Sequence, residues 1–216
     1  MIGGRDAETR ENADVSDGEQ IQAFYGPSSP WAYLGAEQLY DIAERQKTPL
    51  VLRPIRVIAE NGGISLRTRP QPRQDYHAAE LARWSRHLDI PLNPTPKYYP
   101  CRTIETAAGA MIAIQRAGLD ARAFSFTVQR ALWAQDRDIA DVETLRELAM
   151  ETVGEAGTQL VTDPLAPGIR ASWDENLAEA QRIGIFGTPT YVYAGALYWG
   201  QDRLGFLERA IADARH

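Results

Sequence analysis

Phe24-Tyr25-Gly26-Pro27-Ser28-Ser29-Pro30-Trp31-Ala32-Tyr33-Leu34 is the stretch around which this chain is organised. The apolar segment that ends at Tyr25 is short enough for a β-strand, and Gly-Pro-Ser-Ser has the composition of a tight turn. A helix is predicted to begin near Pro30, because Ser is a favourable N-cap and Pro is tolerated at the first helical position. The free N–H groups and the dipole at such a helix start favour an anion beside the turn. The motif alone does not say which anion.

Length, charge and cysteine content exclude several classes of protein. The 216 residues, of which 44% are hydrophobic, suit one globular domain or one domain with a large insertion. A formal net charge of −6 argues against a nucleic-acid partner, because phosphate binding needs clustered Lys and Arg. No apolar run approaches the roughly 18–20 residues that span a bilayer, and residues 1–20 lack a signal-peptide core, so we expect a cytoplasmic protein without a membrane partner. Cys101 is the only cysteine, which excludes an intrachain disulfide.

The apolar periodicity predicts the element order β-α-β, several helices, then β-β-α. Residues 1–18 hold almost no large apolar side chain and are expected to form a disordered leader. Residues 19–58 and 168–216 are predicted to form one α/β domain, which ends in a hairpin around Ala194-Gly195 and a last helix. Residues 59–167 are predicted to form an inserted all-helical subdomain. The predicted helices are Trp31–Gln46, Tyr76–Leu88, Arg102–Ala117, Ala121–Ala134, Val142–Val153, Pro167–Arg182 and Gln201–Ala214.

Three segments of the sequence resemble a known family. Phe24–Leu34, Phe186–Val192 and Trp199–Leu204 are similar to the 2-hydroxychromene-2-carboxylate isomerases, relatives of the kappa-class glutathione transferases. The similarity extends from about Gln20 to the C-terminus. It implies a thioredoxin-like α/β fold of the DsbA and kappa glutathione transferase type, with the helical subdomain inserted. It also implies a homodimer.

The resemblance gives Ser29 the position of the nucleophilic cysteine of redox members and Ala32 that of the resolving cysteine. Thiol–disulfide exchange by this pair is excluded, because neither residue is a thiol. The resemblance implies that glutathione brings the thiol and that the Ser29 hydroxyl donates a hydrogen bond to its sulfur, beside a helix start that stabilises a thiolate. Ser29 could also serve only as an N-cap, and Ser28 competes for either role.

Further residues of a glutathione site follow from the same resemblance. Pro189 is expected to be the cis-proline of the fold, which would turn the Thr188 backbone toward the cysteinyl part of glutathione. Gln201 and Asp202 match the position that binds the γ-glutamyl end, although Asp202 could also be an ordinary helix-start charge. The expected glutathione-binding residues are Ser28, Pro30, Thr188, Pro189, Gln201 and Asp202.

The expected substrate contacts are Trp31, Asn61 and Arg102. The sequence Pro100-Cys101-Arg102 departs from the family here, because many relatives carry Asn-Ser or Asn-Thr before the basic residue. Cys101 itself is expected to be structural.

Other polar residues have ordinary explanations. The basic run Arg67, Arg69 and Arg73 is predicted to be either a solvated loop or the partner of a carboxylate. The histidines have no metal-ligand spacing, so they are expected to be surface or packing residues and no metal is predicted; they are His77, His87 and His216.

The leading functional hypothesis is a glutathione-dependent isomerase. The resemblance implies an aromatic carboxylate of the 2-hydroxychromene-2-carboxylate type as substrate, in the breakdown of aromatic compounds, and reversible thiolate addition as mechanism. Two alternatives stay open. One is a kappa-like glutathione transferase or peroxidase, and the other is a redox-inactive thioredoxin-like binding module.

Overall fold

The computed structural model describes residues 19–215, which are built around a four-stranded sheet. Its strands are β1 (Ile21–Tyr25), β2 (Leu50–Pro54), β3 (Thr190–Tyr193) and β4 (Ala196–Trp199), in the order β2-β1-β3-β4. Strand β1 pairs in parallel with β2 and antiparallel with β3, and β3 forms an antiparallel hairpin with β4. The predicted β-α-β unit and hairpin are confirmed. The predicted leader, residues 1–18, lies outside the described residues.

The helices occur in the predicted order, with differences at their ends. Helix α2 begins at Gln71 rather than Tyr76, because Pro72 fits the first turn, where a missing N–H needs no partner. Helix α5 continues to Leu160 across a kink at Gly154, whose φ of 74° breaks the regular path. The last helix starts as a 3-10 turn, Gln201–Arg203. The α-helices are α1 (Pro30–Arg45), α2 (Gln71–Leu88), α3 (Glu105–Arg116), α4 (Ala121–Gln135), α5 (Val142–Leu160), α6 (Pro167–Arg182) and α7 (Leu204–Asp213).

Strand β1 is buried on both of its faces, and its side chains alternate between two cores. Ile21, Ala23 and Tyr25 enter a large core that also contains buried residues of α1, α3, α4, α5 and α7. Phe24 faces the other way, into a smaller core that it shares with Ala180 of α6. Because β1 is covered on both faces, four of its five residues are apolar instead of alternating with polar ones, and the fifth, Gln22, is buried as well.

The region between β2 and α6 packs directly on the sheet. The Gln115 side chain of α3 accepts from the Leu52 amide at 2.8 Å and donates to the Leu52 carbonyl at 2.9 Å. This pair satisfies backbone groups of β2, as a neighbouring strand would. The Tyr25 hydroxyl is 2.8 Å from the Ser125 hydroxyl of α4. The helical region thus shares the large core with the sheet, and its description as a separate subdomain, residues 59–167, stays a prediction.

Two general properties of residues 19–215 bear on function. No helix among them combines the length and the apolar content that crossing a bilayer requires. The same residues contain no group of three or more His, Cys, Asp or Glu side chains placed to hold a metal ion.

Candidate active site

The turn Gly26–Pro30, called the Ser29 turn below, is closed by backbone and side-chain hydrogen bonds. The Ser29 amide donates to the Gly26 carbonyl at 2.9 Å. Ser29 is the N-cap of α1, with φ −77° and ψ 119°, and its hydroxyl oxygen accepts from the Ala32 amide at 3.3 Å. Pro30 takes the first helical position, where it removes no hydrogen bond. Of the two serines that competed for the N-cap, Ser29 fills it.

The Ser29 hydroxyl also reaches the loop before β3. It donates to the Thr188 carbonyl oxygen at 3.3 Å, and the Thr188–Pro189 peptide bond is cis. Both contacts of the hydroxyl are long compared with the usual 2.7–2.8 Å of an O–H···O bond or 2.9–3.0 Å of an N–H···O bond. A polar group that enters the site can therefore replace the Thr188 carbonyl as the acceptor of the Ser29 hydrogen bond at low energetic cost. The structure thus brings together Ser29, Pro30, Thr188 and Pro189.

The 3-10 turn Gln201–Arg203 rests against α1. A methyl group at Gly35 would lie 2.7 Å from Gln201 Cβ and 3.0 Å from the Tyr191 hydroxyl oxygen, so α1 and this turn approach each other closely at a glycine. Gln201 is buried, whereas Asp202 is exposed and accepts from Arg203 Nη1 at 2.9 Å. The Asp202 carboxylate is accordingly open to a ligand from solvent, while Gln201 fixes the turn that carries it.

Trp31, two residues after Ser29, contacts His77, a histidine that the sequence predicts to be a surface or packing residue. Trp31 Nε1 donates to His77 Nε2 at 2.9 Å, and the two rings meet edge to face with centroids 5.3 Å apart. Burial holds the pKa of His77 below its ordinary value, and the nearby Arg69 acts in the same direction. No signal in the sequence identifies this pair, because it depends on how α2 packs beside α1.

The two other predicted substrate residues have partners within the protein. The Asn61 side-chain amide donates to the Gln181 and Ile185 carbonyls at 2.9 Å each, at the C-terminal end of α6. Arg102, whose side chain is 71% exposed, pairs with Asp138 at 2.9 Å. These contacts are structural, and substrate contacts by Asn61 and Arg102 stay predictions.

A sequence model of the DSBA-like thioredoxin domain matches residues 20–212 of this chain. The chain belongs to the DSBA-like thioredoxin family. Three curated relatives are named 2-hydroxychromene-2-carboxylate isomerase. The relative from Sphingobium xenophagum is 29% identical over 199 residues, which cover 89% of this chain and 98% of the relative. The relative from Pseudomonas putida is 27% identical over 199 residues, which cover 88% and 93%.

Solved structures agree with the DSBA-like fold. A 2-hydroxychromene-2-carboxylate isomerase superposes with a TM-score of 0.73 at 24% identity, over 90% of this chain and 95% of the other. The cytosolic disulfide reductase DsbM from Pseudomonas aeruginosa with GSH gives a TM-score of 0.63 at 23% identity, over 89% and 99%. At these identities the structures establish the fold alone. The predicted thioredoxin-like fold and the resemblance to these isomerases are confirmed.

This DSBA-like chain has no thiol at the Ser29 turn, since Ser29 and Ala32 stand at the two positions that the resemblance assigns to redox cysteines. Its cysteine, Cys101, is half-buried, and burial together with the nearby Asp138 raises the thiol pKa to about 11. Because the thiolate is the reactive form, Cys101 is a poor nucleophile at neutral pH. Neither Ser29 nor Ala32 can therefore supply a thiolate at the Ser29 turn.

Proposed function

We propose that this chain is a glutathione-dependent isomerase of aromatic carboxylates of the 2-hydroxychromene-2-carboxylate type, which yields the trans-o-hydroxybenzylidenepyruvate-type isomer. The observation that carries the proposal is the hydroxyl of Ser29, placed at the start of α1 and 3.3 Å from the carbonyl of the residue before a cis-proline, where the chain has no thiol of its own. The names of the curated relatives support isomerase activity.

The residues around the turn fit a peptide that carries a thiol. The Ser29 hydroxyl is a hydrogen-bond donor whose two hydrogen bonds within the protein are both long, at 3.3 Å. The start of α1 favours a negative charge beside it. The half-buried Thr188 offers backbone polar groups beside it, and the exposed Asp202 carboxylate suits an ammonium group. When bound, glutathione supplies a thiolate that adds reversibly to a conjugated carbon of the substrate.

Each of these residues has a separate task in the proposed reaction. Ser29 turns its hydroxyl proton from the Thr188 carbonyl toward the anionic sulfur, and the helix start adds favourable electrostatics at the same point. Thr188 and Asp202 hold the peptide so that the sulfur stays at the turn. Trp31, two residues after Ser29, provides an aromatic wall for the substrate. We also propose that the protein is a cytoplasmic homodimer that has no nucleic-acid or membrane partner.

Glutathione stoichiometry tests the reaction type. Purified protein is incubated with 2-hydroxychromene-2-carboxylate and glutathione; the isomer is followed by chromatography and free thiol by titration. We expect isomer to form while total glutathione stays constant. S-methylglutathione, which fits the same residues without a free thiol, is the matched control and should support no turnover. Consumption of one glutathione per product would identify a transferase instead. No saturable glutathione binding by calorimetry would leave the binding module as the remaining alternative.

A further inference from the structure

The hydrogen bond from Trp31 to His77 ties the Ser29 turn to helix α2. Trp31 lies in the first turn of α1, and His77 lies in the second turn of α2. Their ring nitrogens are 2.9 Å apart, and the rings meet at 89°. Both side chains are half-buried, so the bond is partly shielded from water. The orientation of the indole next to Ser29 therefore depends on a residue of the helical region.

His77 can accept this bond only while Nε2 carries no proton, so the neutral ring must hold its proton on Nδ1. The Trp31 side chain that faces it from α1 is uncharged. Arg69, from the segment before α2, disfavours the protonated ring. The charged side chains one turn away on α2 itself are Arg73 and Glu80. Protonation would replace the acceptor with a second donor, and the indole N–H would lose its partner.

We propose that His77 is a positioning residue of the active site, which in its neutral form holds the Trp31 indole as the wall of the space for the aromatic substrate. This inference rests on the proposed function. The hydrogen bonds of Ser29 to Thr188 and Ala32, at the site of the proposed thiol, do not involve His77. The loss of His77 should therefore weaken binding of the aromatic substrate and leave the thiolate chemistry nearly intact.

Two substitutions at His77 separate the hydrogen bond from mere packing. His77→Phe keeps a flat ring but removes the acceptor, whereas His77→Gln keeps an acceptor oxygen that does not titrate near neutral pH. His87→Phe is the matched control, because His87 lies on the same helix and contacts Trp84 edge to face with centroids 5.6 Å apart. Thermal unfolding of all three variants checks that each one folds.

The first readout is the indole N–H resonance of Trp31, assigned by its loss in Trp31→Phe. In the wild type and in His87→Phe it should move as pH falls below about 6.5, the ordinary histidine pKa. In His77→Gln it should stay constant, and in His77→Phe it should be displaced at every pH. If the chemical shift of the Trp31 indole N–H and its pH dependence are the same in both His77 variants as in the wild type, the proposal is wrong.

The second readout is affinity for the aromatic group. In His77→Phe we expect KM for the aromatic substrate to rise about three- to tenfold, the effect of one lost hydrogen bond, with kcat and the KM for glutathione changed less than about twofold. In the wild type, KM for the aromatic substrate should also rise at acid pH, where His77 becomes protonated. His77→Gln should keep the KM that the wild type has at neutral pH and should lack the rise at acid pH. An unchanged KM in His77→Phe, or an equal rise in His87→Phe, would refute the positioning role.

The two proposals can fail separately. The dissociation constant of 2-hydroxycinnamate, an aromatic carboxylate, is measured from the same Trp31 resonance and needs no turnover. If the wild type does not isomerise the substrate but His77→Phe weakens 2-hydroxycinnamate binding about three- to tenfold, the isomerase proposal falls and the positioning of Trp31 stands. If turnover is present and 2-hydroxycinnamate binds both proteins equally, His77 has no positioning role.

Discussion

The hydroxyl oxygen of Ser29 lies 3.3 Å from the carbonyl oxygen of Thr188, although 159 positions in the sequence separate them. The same hydroxyl accepts from the Ala32 amide at 3.3 Å. One oxygen thus joins the start of α1 to the loop before β3. Since both hydrogen bonds are long, they stabilise the turn only weakly, and a bound anion can replace the Thr188 carbonyl as the acceptor from the Ser29 hydroxyl.

Ser29→Ala should separate catalysis from folding. The substitution removes one N-cap, which costs about 1 kcal/mol of stability. It also removes the proposed donor to the glutathione sulfur, for which we expect a loss of about a hundredfold in kcat. Steady-state kinetics and urea unfolding measure the two effects. Asp120→Ala is the control, because Asp120 caps α4 by accepting from the Ala123 amide at 3.0 Å. It should lose similar stability and keep full kcat; an equal loss of kcat in both variants would refute a specific role for Ser29.

Gly35→Ala should disturb the turn that carries Asp202. The added methyl group would lie 2.7 Å from Gln201 Cβ, so one of the two elements must shift. We expect a loss of about 1–3 kcal/mol in the free energy of unfolding and weaker glutathione binding by calorimetry. Gly205→Ala in α7 is the control, because its added methyl group would meet no atom within 4 Å apart from its chain neighbours and the nearby backbone of its own helix. Normal glutathione binding by Gly35→Ala would argue against Gln201–Asp202 as part of the site.

Asn61→Ala distinguishes a structural role from a substrate contact. Its amide donates to carbonyls at the end of α6, so we expect the free energy of unfolding to fall by about 1–2 kcal/mol. Arg102→Ala removes only a surface ion pair with Asp138 and should change stability by less than about 1 kcal/mol. An unchanged KM for the aromatic substrate in either variant would remove that residue from the predicted substrate contacts.

Cys101 should resist alkylation in the folded protein. With its thiol pKa raised to about 11, the thiolate fraction at neutral pH is far below that of an ordinary cysteine. We expect slow labelling by iodoacetamide when the protein is folded and rapid labelling in guanidinium, followed by mass spectrometry. Cys101→Ser should retain glutathione-dependent turnover. Rapid labelling of the folded protein together with loss of turnover in Cys101→Ser would make Cys101 a reactive residue.

The strand–turn–helix at Ser29 could be predicted because its determinants are local. A serine N-cap, a proline at the first helical position and an apolar strand before them specify the same turn from within about ten residues. The cis bond before Pro189 followed from the resemblance rather than from local pattern.

Contacts that depend on the packing of distant helices could not be predicted. The partners of Asn61, Gln181 and Ile185, lie 120 and 124 positions away at the end of α6, and nothing near Asn61 indicates them. The bond between Trp31 and His77 requires the relative placement of α1 and α2, which the periodicity of either helix does not specify. The predicted start of α2 at Tyr76 is also too late, because a proline is as typical of a loop as of the first turn of a helix, and Pro72 lies in that first turn.

The pKa of the glutathione thiol, measured in the bound state, tests the role of Ser29 most directly. Thiolate absorbance in the ultraviolet is followed against pH for glutathione bound to the wild type, to Ser29→Ala and to Ser28→Ala. In the wild type we expect the thiol pKa to lie well below about 8.5, its ordinary value, and in Ser29→Ala to return toward it. A return in Ser28→Ala alone would transfer the role to Ser28. The same thiol pKa in the wild type and Ser29→Ala would contradict the proposal that Ser29 stabilises the thiolate of bound glutathione.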